Sequence, residues 1–452
     1  MSAEAAILAP VRTVFDLAWP MTIKAMILHG TVVIDAYLVA GLGEPALVAM
    51  GVAAAIAGVV LGSIFAFSNA LQIRTAQAFG TGDPVFLRSA LACGLTVSMG
   101  VGLVGLGGIA GFGGPLIAAL APTPEIAAMA RSYLAVFTLV VMGEIVGQVL
   151  SSFFNGCGRT RIPLYSFCLS LPINVGASVV LIHGFLGLPA FGVAGAAMGS
   201  AIAVAVQVAF LISRFVALDR HLYGRRGWHG GRLSTALRRH LAFTLPIAAT
   251  FFSAMLATHV CTLIYARLSI QAFAAMTLIT PWIMVAGTVG MQWAQATGIV
   301  IAQMLGQRHG EATLDRFLSA AWRMSFVAAA VVAVIYGTVC LSASALYGDL
   351  HSDTLAVLMG FAPILLLLPF PKQSNAICGN TLRASGDTIY VMHVFIWSQW
   401  LFRVPATAIA VMYLDLSANW VLSILLWEEV LKFPAFHGRL RRGAWKHAQV
   451  AV

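Results

Sequence analysis

Four ionisable side chains stand inside stretches made otherwise of apolar residues: Lys24, Asp35, Glu144 and Lys372. In surroundings that exclude water such groups are costly, so they face a cavity or a partner. Asp35 lies in GTVVIDAYLVAG, about six residues before that run ends. A carboxylate there is neutralised by a proton, a cation or a basic side chain, so it can take up and release positive charge. Lys24 stands eleven residues earlier. Eleven helical steps return it to nearly the same face, about 16 Å away along the axis. It either lines the same cleft or extends its ammonium toward the membrane surface. Glu144 pairs with a base such as Lys24 or is a second protonation site. Lys372, in LLLLPFPKQSNAICG, either meets an anionic or zwitterionic substrate or pairs with Glu428 or Glu429.

Other chemistries have no footing. The six cysteines are scattered without a CxxC or Cys/His pattern, and His29, His183 and His393 form no ligand cluster, so no metal is expected. HExxH and GxSxG are missing, and the Gly-rich stretch 100–114 is not followed by Gly-Lys-Ser/Thr; it reads as close helix contacts and a loop. The chain is not expected to be an enzyme or to carry a cofactor.

The elements that position these residues follow from composition. Of 452 residues, 60% are hydrophobic and 9% charged, with mean hydropathy +0.91. Soluble proteins carry about 25% charged residues, and a span needs roughly 20 apolar ones. The first residues lack the pattern of a cleaved signal peptide. Apolar runs predict twelve helices, near 15–41, 46–72, 85–109, 125–155, 162–186, 192–217, 235–266, 271–299, 312–341, 354–381, 388–413 and 417–436. With both termini cytoplasmic, the inside loops carry Arg74, Arg88, Arg159, Arg161, the run from Arg214 to Arg239, Arg308, Arg316 and Arg383. The tail adds Lys432, Arg439, Arg441, Arg442 and Lys446. The outside loops carry Glu44, Asp349, Asp353 and Asp415, with Arg267 at a helix end. This asymmetry predicts the orientation and accounts for the net charge of +10 without nucleic acid. The basic connection 214–240 suits anionic lipid headgroups.

The two halves resemble each other at an offset of about 226 residues. WPMTIKAM around Pro20 answers LPIAATFF around Pro246, AGLGEPALVAM answers ARLSIQAFAAM, and AQAFG answers AQMLG. An even number of helices per half places both copies the same way up. The expected architecture is therefore an all-α polytopic membrane protein of twelve transmembrane helices in two pseudo-symmetric six-helix lobes. The lobes are 1–218 and 240–452, the latter with the basic tail, joined by a basic cytoplasmic linker, 219–239. Two such lobes around a cleft favour a transporter. Pro20 and Pro246, inside the first helix of each half, are candidate hinges, and Pro363, Pro369 and Pro371 permit kinks in the tenth.

At VIDAYLVAGLGEPALVAMG, AQAFGTGD, NGCGRTRIPLYSFCLSLPIN, FGVAGAAMGSAIA and NTLRASGDT, in that order, the chain resembles the multidrug and toxic compound extrusion (MATE) family. The resemblance implies a monomeric secondary transporter in a bacterial inner membrane. It would export small amphipathic compounds, often cationic, against inward H⁺ or Na⁺. It also implies that Asp35 falls at the family's acidic coupling position. Asn174 matches a polar ligand beside that acid, and Ser200 a hydroxyl position. Ser178 stands where the family often has a second acid. With one carboxylate instead of two, H⁺ is the preferred coupling ion and Na⁺ the other. Lys372 stands where one branch has a carboxylate, and His259 and Cys261 stand mid-way along a seventh helix that lacks an acid. With Lys24 and Glu144, Lys372 and His259 are the substrate-cavity candidates. Lys24, Lys372 and Arg403 also leave open a flippase for a lipid-linked or amphipathic precursor.

Overall fold

A computed structural model describes residues 3–222, 227–343 and 352–448, with side chains from residue 11 onward. Asp349 and residues 223–226 of the basic connection lie outside it. The described residues form helices and short connections only. Helices α1 to α9 run Ala3–Ala40, Glu44–Thr81, Pro84–Leu120, Pro124–Gly156, Arg161–His183, Val193–Asp219, Leu233–Tyr265, Ile270–Gly306 and Glu311–Leu341. Their starts follow from local chemistry. The Asp83 carboxylate accepts from Val85 N at 2.8 Å, and Thr123 Oγ1 accepts from Ile126 N at 3.3 Å. Each cap precedes a proline whose absent N–H costs the first turn nothing.

Among the described residues, ten helices are long and apolar enough to cross a membrane, or eleven with the bent pair Ser352–Leu367 and Pro369–Ala384 taken as one span. The 43° bend falls beside Pro369, which has no N–H to continue the ladder. The span Thr388–Met412 contains a π-helical turn, Ser398–Arg403. The last helix, Ala418–Arg441, has 24 residues, enough for about 36 Å. Its charges keep it below the apolar threshold, and the structure buries two of them, Glu428 and Lys432.

Three expectations are corrected here. The glycine-rich stretch 100–114 contains no loop; it lies wholly within α3. Backbone in a bilayer must bond internally, and helix does this. Gly102 and Gly105 permit the approach of Ile145 and Val60, whose side chains a Cβ would strike. Arg383 is not a loop charge and Lys432 is not a tail charge, since both are buried.

The chain divides into two compact units, 23–244 and 1–22 with 245–452. The boundaries fall inside α1 and α7, within three residues of Pro20 and Pro246. In the first unit, Ala46, Ala49, Ala53 and Ala57 of α2 form one buried stripe in a core with Ala127, Ala130, Leu134, Val141 and Ile145 of α4. Small residues let membrane helices approach closely, which is the main source of their cohesion. The α5–α6 pair is tighter. A Cβ on Gly195 would lie 2.6 Å from the Leu181 carbonyl, and one on Gly199 would lie 2.6 Å from Ser178 N. Neither backbone can yield, so Gly199→Leu is expected to force these helices apart. Overpacking typically costs about 1–3 kcal/mol. A lower thermal midpoint in detergent, with transport lost, is the expected result; an unchanged midpoint would show that the contact is dispensable.

Candidate ion and substrate sites

The close approach of α5 and α6 sets Ser200, next to Gly199, against Asn174. Asn174 Nδ2 donates to Ser200 Oγ at 3.0 Å, and Ser200 Oγ donates to Asp35 Oδ2 at 3.3 Å. Asn174 and Ser200 are buried, and Asp35 is half-buried. Asp35 Oδ1 and Asn174 Oδ1 are buried and have no hydrogen-bond partner. No lysine, arginine or histidine pairs with Asp35 among the described residues. Two unpartnered oxygens on adjoining side chains, one of them a carboxylate, are ready acceptors for a proton or a hard cation. Tyr133, stacked on Phe137 with centroids 5.3 Å apart, lies within electrostatic range of Asp35. Nothing in the sequence pattern singled it out.

Ser178 has a different setting. It is fully buried one turn beyond Asn174, its side chain faces Gly199, and its hydroxyl bonds to nothing. The structure therefore brings together three of the four proposed ion-site residues, and Ser178 marks the helix contact that holds them.

A second polar group lies in the same unit. Glu144 Oε2 accepts from Gln148 Nε2 at 2.7 Å. Lys24 Nζ lies 5.0 Å over the Phe167 ring and within electrostatic range of Glu144. The structure thus relates Lys24 to Glu144 and to an aromatic face, and shows no ion pair between Lys24 and Asp35.

In the unit formed by 1–22 and 245–452, the charges interlock. Lys432 Nζ meets Glu429 Oε1 at 2.7 Å and Glu428 Oε1 at 3.2 Å. Arg403 Nε lies 3.9 Å from Glu428 Oε2. Asn375 Nδ2 donates to Glu429 Oε2 at 2.9 Å, and Ser398 Oγ donates to Glu428 Oε1 at 3.3 Å. The π turn places Ser398 and Arg403 on this network, consistent with the use of such turns to re-aim side chains. Lys372 is exposed on its unit and sits within electrostatic range of both glutamates, yet ion-pairs with neither. Three cations here face two carboxylates. Arg383 adds a fourth cation nearby, buried without a carboxylate partner among the described residues, 5.5 Å from the Phe395 ring and 5.9 Å from the Phe251 ring. Lys432 lies 4.9 Å over the same Phe395. His259 stands apart: it is exposed, and its Nδ1 bonds the Met255 carbonyl of its own helix at 2.9 Å.

A half-buried acid is thus bonded across three helices, in a chain whose repeat carries a proline in each first helix. The MatE family model matches two stretches, 20–180 and 246–409, one in each half and each beginning at one of those prolines. The chain belongs to the MATE family. A similar protein is the probable multidrug resistance protein NorM of Rhizobium meliloti, 25% identical over 85% of this chain and 86% of that one. A crystal structure of MATE in the bent conformation superposes with TM-score 0.83 at 18% identity, covering 100% of both chains. The eukaryotic MATE transporter AtDTX14 superposes at 0.82 with 16% identity over 99% of each chain. These likenesses fix the all-α, twelve-span MATE fold, and membership in the family makes the chain an integral membrane transporter.

Proposed function

We propose that the chain is an ion-coupled exporter of small amphipathic organic compounds, with Asp35 as the coupling site. The observation that carries this reading is the Asp35 carboxylate, bonded through one oxygen, unpartnered at the other, and free of any basic partner among the described residues. The multidrug resistance named for the Rhizobium meliloti relative supports the substrate class. Coupling requires the ion to bind one conformation better than the other. The proton is the preferred ion because Ser178 stands where the family often has a second acid, which leaves a single carboxylate to hold Na⁺. Entry of H⁺ from outside weakens substrate binding, substrate leaves, and the protonated site returns inward. The two six-helix lobes, 1–218 and 240–452, rock in this scheme, with the turns around Pro20 and Pro246 as hinges. Supporting this, the chain passes between its compact units within three residues of each proline. The basic loops support both termini being cytoplasmic, the bacterial relative supports an inner-membrane location, and the chain acts as a monomer in this scheme.

The test is efflux from proteoliposomes with H⁺ and Na⁺ gradients imposed separately. A pH gradient alone is expected to drive accumulation. Drive by Na⁺ alone would reassign the ion, and indifference to both would remove antiport. Translocation of a lipid diphosphate in place of drug-like compounds would favour the flippase.

The charge excess around Lys372 supports substrates that carry an anionic group, alone or as a zwitterion. Lys372→Gln is expected to lower affinity for such substrates about tenfold, equivalent to about 1.4 kcal/mol, and to spare cationic ones. Equal effects on both classes would assign Lys372 to packing.

A further inference from the structure

One pocket in the unit 23–244 belongs to none of the sites above. It is a shallow depression open to solvent, lined by Arg74, Phe86, Ser89, His229, Arg239 and His240, with Ala90, Cys93 and Ala236 completing the wall. It lies where α2, α3 and the start of α7 meet the basic connection. That connection is folded onto α3: Arg88 Nη1 donates to the Gly227 carbonyl at 2.7 Å and covers the Trp228 ring at 4.8 Å. His229 N donates to Ser89 Oγ at 2.9 Å, and its ring stacks on Phe86 at 4.1 Å.

The lining is cationic, and its donors exceed its acceptors. The Arg74 guanidinium lies 4.6 Å from the Phe86 ring and 5.5 Å from the Phe243 ring, and donates to Gln77 Oε1 at 3.0 Å. Arg239 is close enough for the two like charges to repel. No Asp or Glu is among the lining residues; Asp83 reaches His229 only as a distant charge. His240 is 3% exposed, and its Nδ1 has no partner; His229 Nε2 is likewise buried and unpartnered. Burial and the Arg74 charge hold the His229 imidazole below its usual pKa. Its free nitrogen therefore stays ready to donate or accept according to tautomer. Two guanidiniums, a serine hydroxyl and two imidazoles around one opening match a tetrahedral oxyanion, which arginine forks bind through paired charge-assisted bonds.

We propose that this pocket binds a phosphate group and thereby fastens the basic connection to the ends of α2, α3 and α7. The phosphate comes either from an anionic phospholipid headgroup or from free phosphate. The open mouth suits a headgroup whose diester continues outward. Juxtamembrane basic groups attract anionic lipid in any case, but such attraction alone would not depend on Arg74, which packs between two aromatic rings.

A ligand that binds only the folded protein raises its thermal midpoint. The full chain is purified in neutral detergent, delipidated, and heated with phosphatidylglycerol, phosphatidylcholine, inorganic phosphate or chloride at equal ionic strength. Phosphatidylglycerol or phosphate is expected to raise the midpoint above the phosphatidylcholine and chloride values. A shift with phosphate supports the free oxyanion as ligand; a shift with phosphatidylglycerol alone supports the headgroup. Arg239→Gln, at an exposed position, should leave the ligand-free midpoint unchanged and raise the concentration needed for the shift at least tenfold. Arg74→Lys, which keeps the charge and loses the fork, should weaken it less. Equal midpoints in all four additives, or a shift that both variants retain at the same concentration, would overturn the proposal.

Discussion

Asp35→Asn is expected to abolish uphill efflux while leaving substrate binding in place. The amide occupies nearly the same volume, and its carbonyl can still accept from Ser200 Oγ, now 3.3 Å from Oδ2. It cannot take up a proton or offer a full negative charge to a cation. Gradient-driven accumulation in proteoliposomes should fall at least about a hundredfold, a change of roughly 2.7 kcal/mol in driving interaction. Downhill exchange of labelled for unlabelled substrate should persist, since it needs no ion cycle. Ser200→Ala is expected to weaken coupling less, because it removes one bond and keeps the charge. Undiminished uphill transport by Asp35→Asn would remove Asp35 from the mechanism.

Lys432→Met is expected to lower stability more than any other single change in the last helix. Lys432 is 2% exposed and is the cation nearest both Glu428 and Glu429. Methionine replaces most of its volume but leaves Glu429 with Asn375 as its hydrogen-bonding partner and Glu428 dependent on Arg403 at 3.9 Å. Removing one member of a buried ion pair costs about 3–5 kcal/mol, mostly through the charge left behind. The thermal midpoint in detergent should drop sharply, and Glu429→Gln in the same chain should restore part of it. A midpoint equal to the parent's would mean that water reaches these carboxylates freely.

The two sites differ in how far they were legible in the sequence. Asp35, Asn174 and Ser200 could be placed together because each lies in a stretch that resembles the MATE family, whereas the close contact at Gly195 and Gly199 beside Ser200 is visible only in the folded chain. That the glycine pair would turn Ser178 into the contact itself depends on the rotation of α5 against α6, which residue order does not specify. The Lys432 network was harder. EEVLK sits near a basic terminus and reads as the start of a tail, which places Lys432 with the orientation signal. The available clue was spacing: Glu428 and Glu429 lie four and three residues before Lys432, on one helical face. Arg403 reaches Glu428 from a π turn for which Ser398–Arg403 carries no sequence mark. The glycines of α3 show the same limit, since Gly-rich order alone does not distinguish a loop from a helix pressed against Val60 and Ile145.

The most direct test is proton release on substrate binding, measured with a pH indicator in weakly buffered detergent solution over a series of starting pH values. Substrate added to the native chain should expel protons from the protonated site, and the same addition to Asp35→Asn should expel none. Equal release from both proteins would contradict the assignment of the exchanged charge to Asp35.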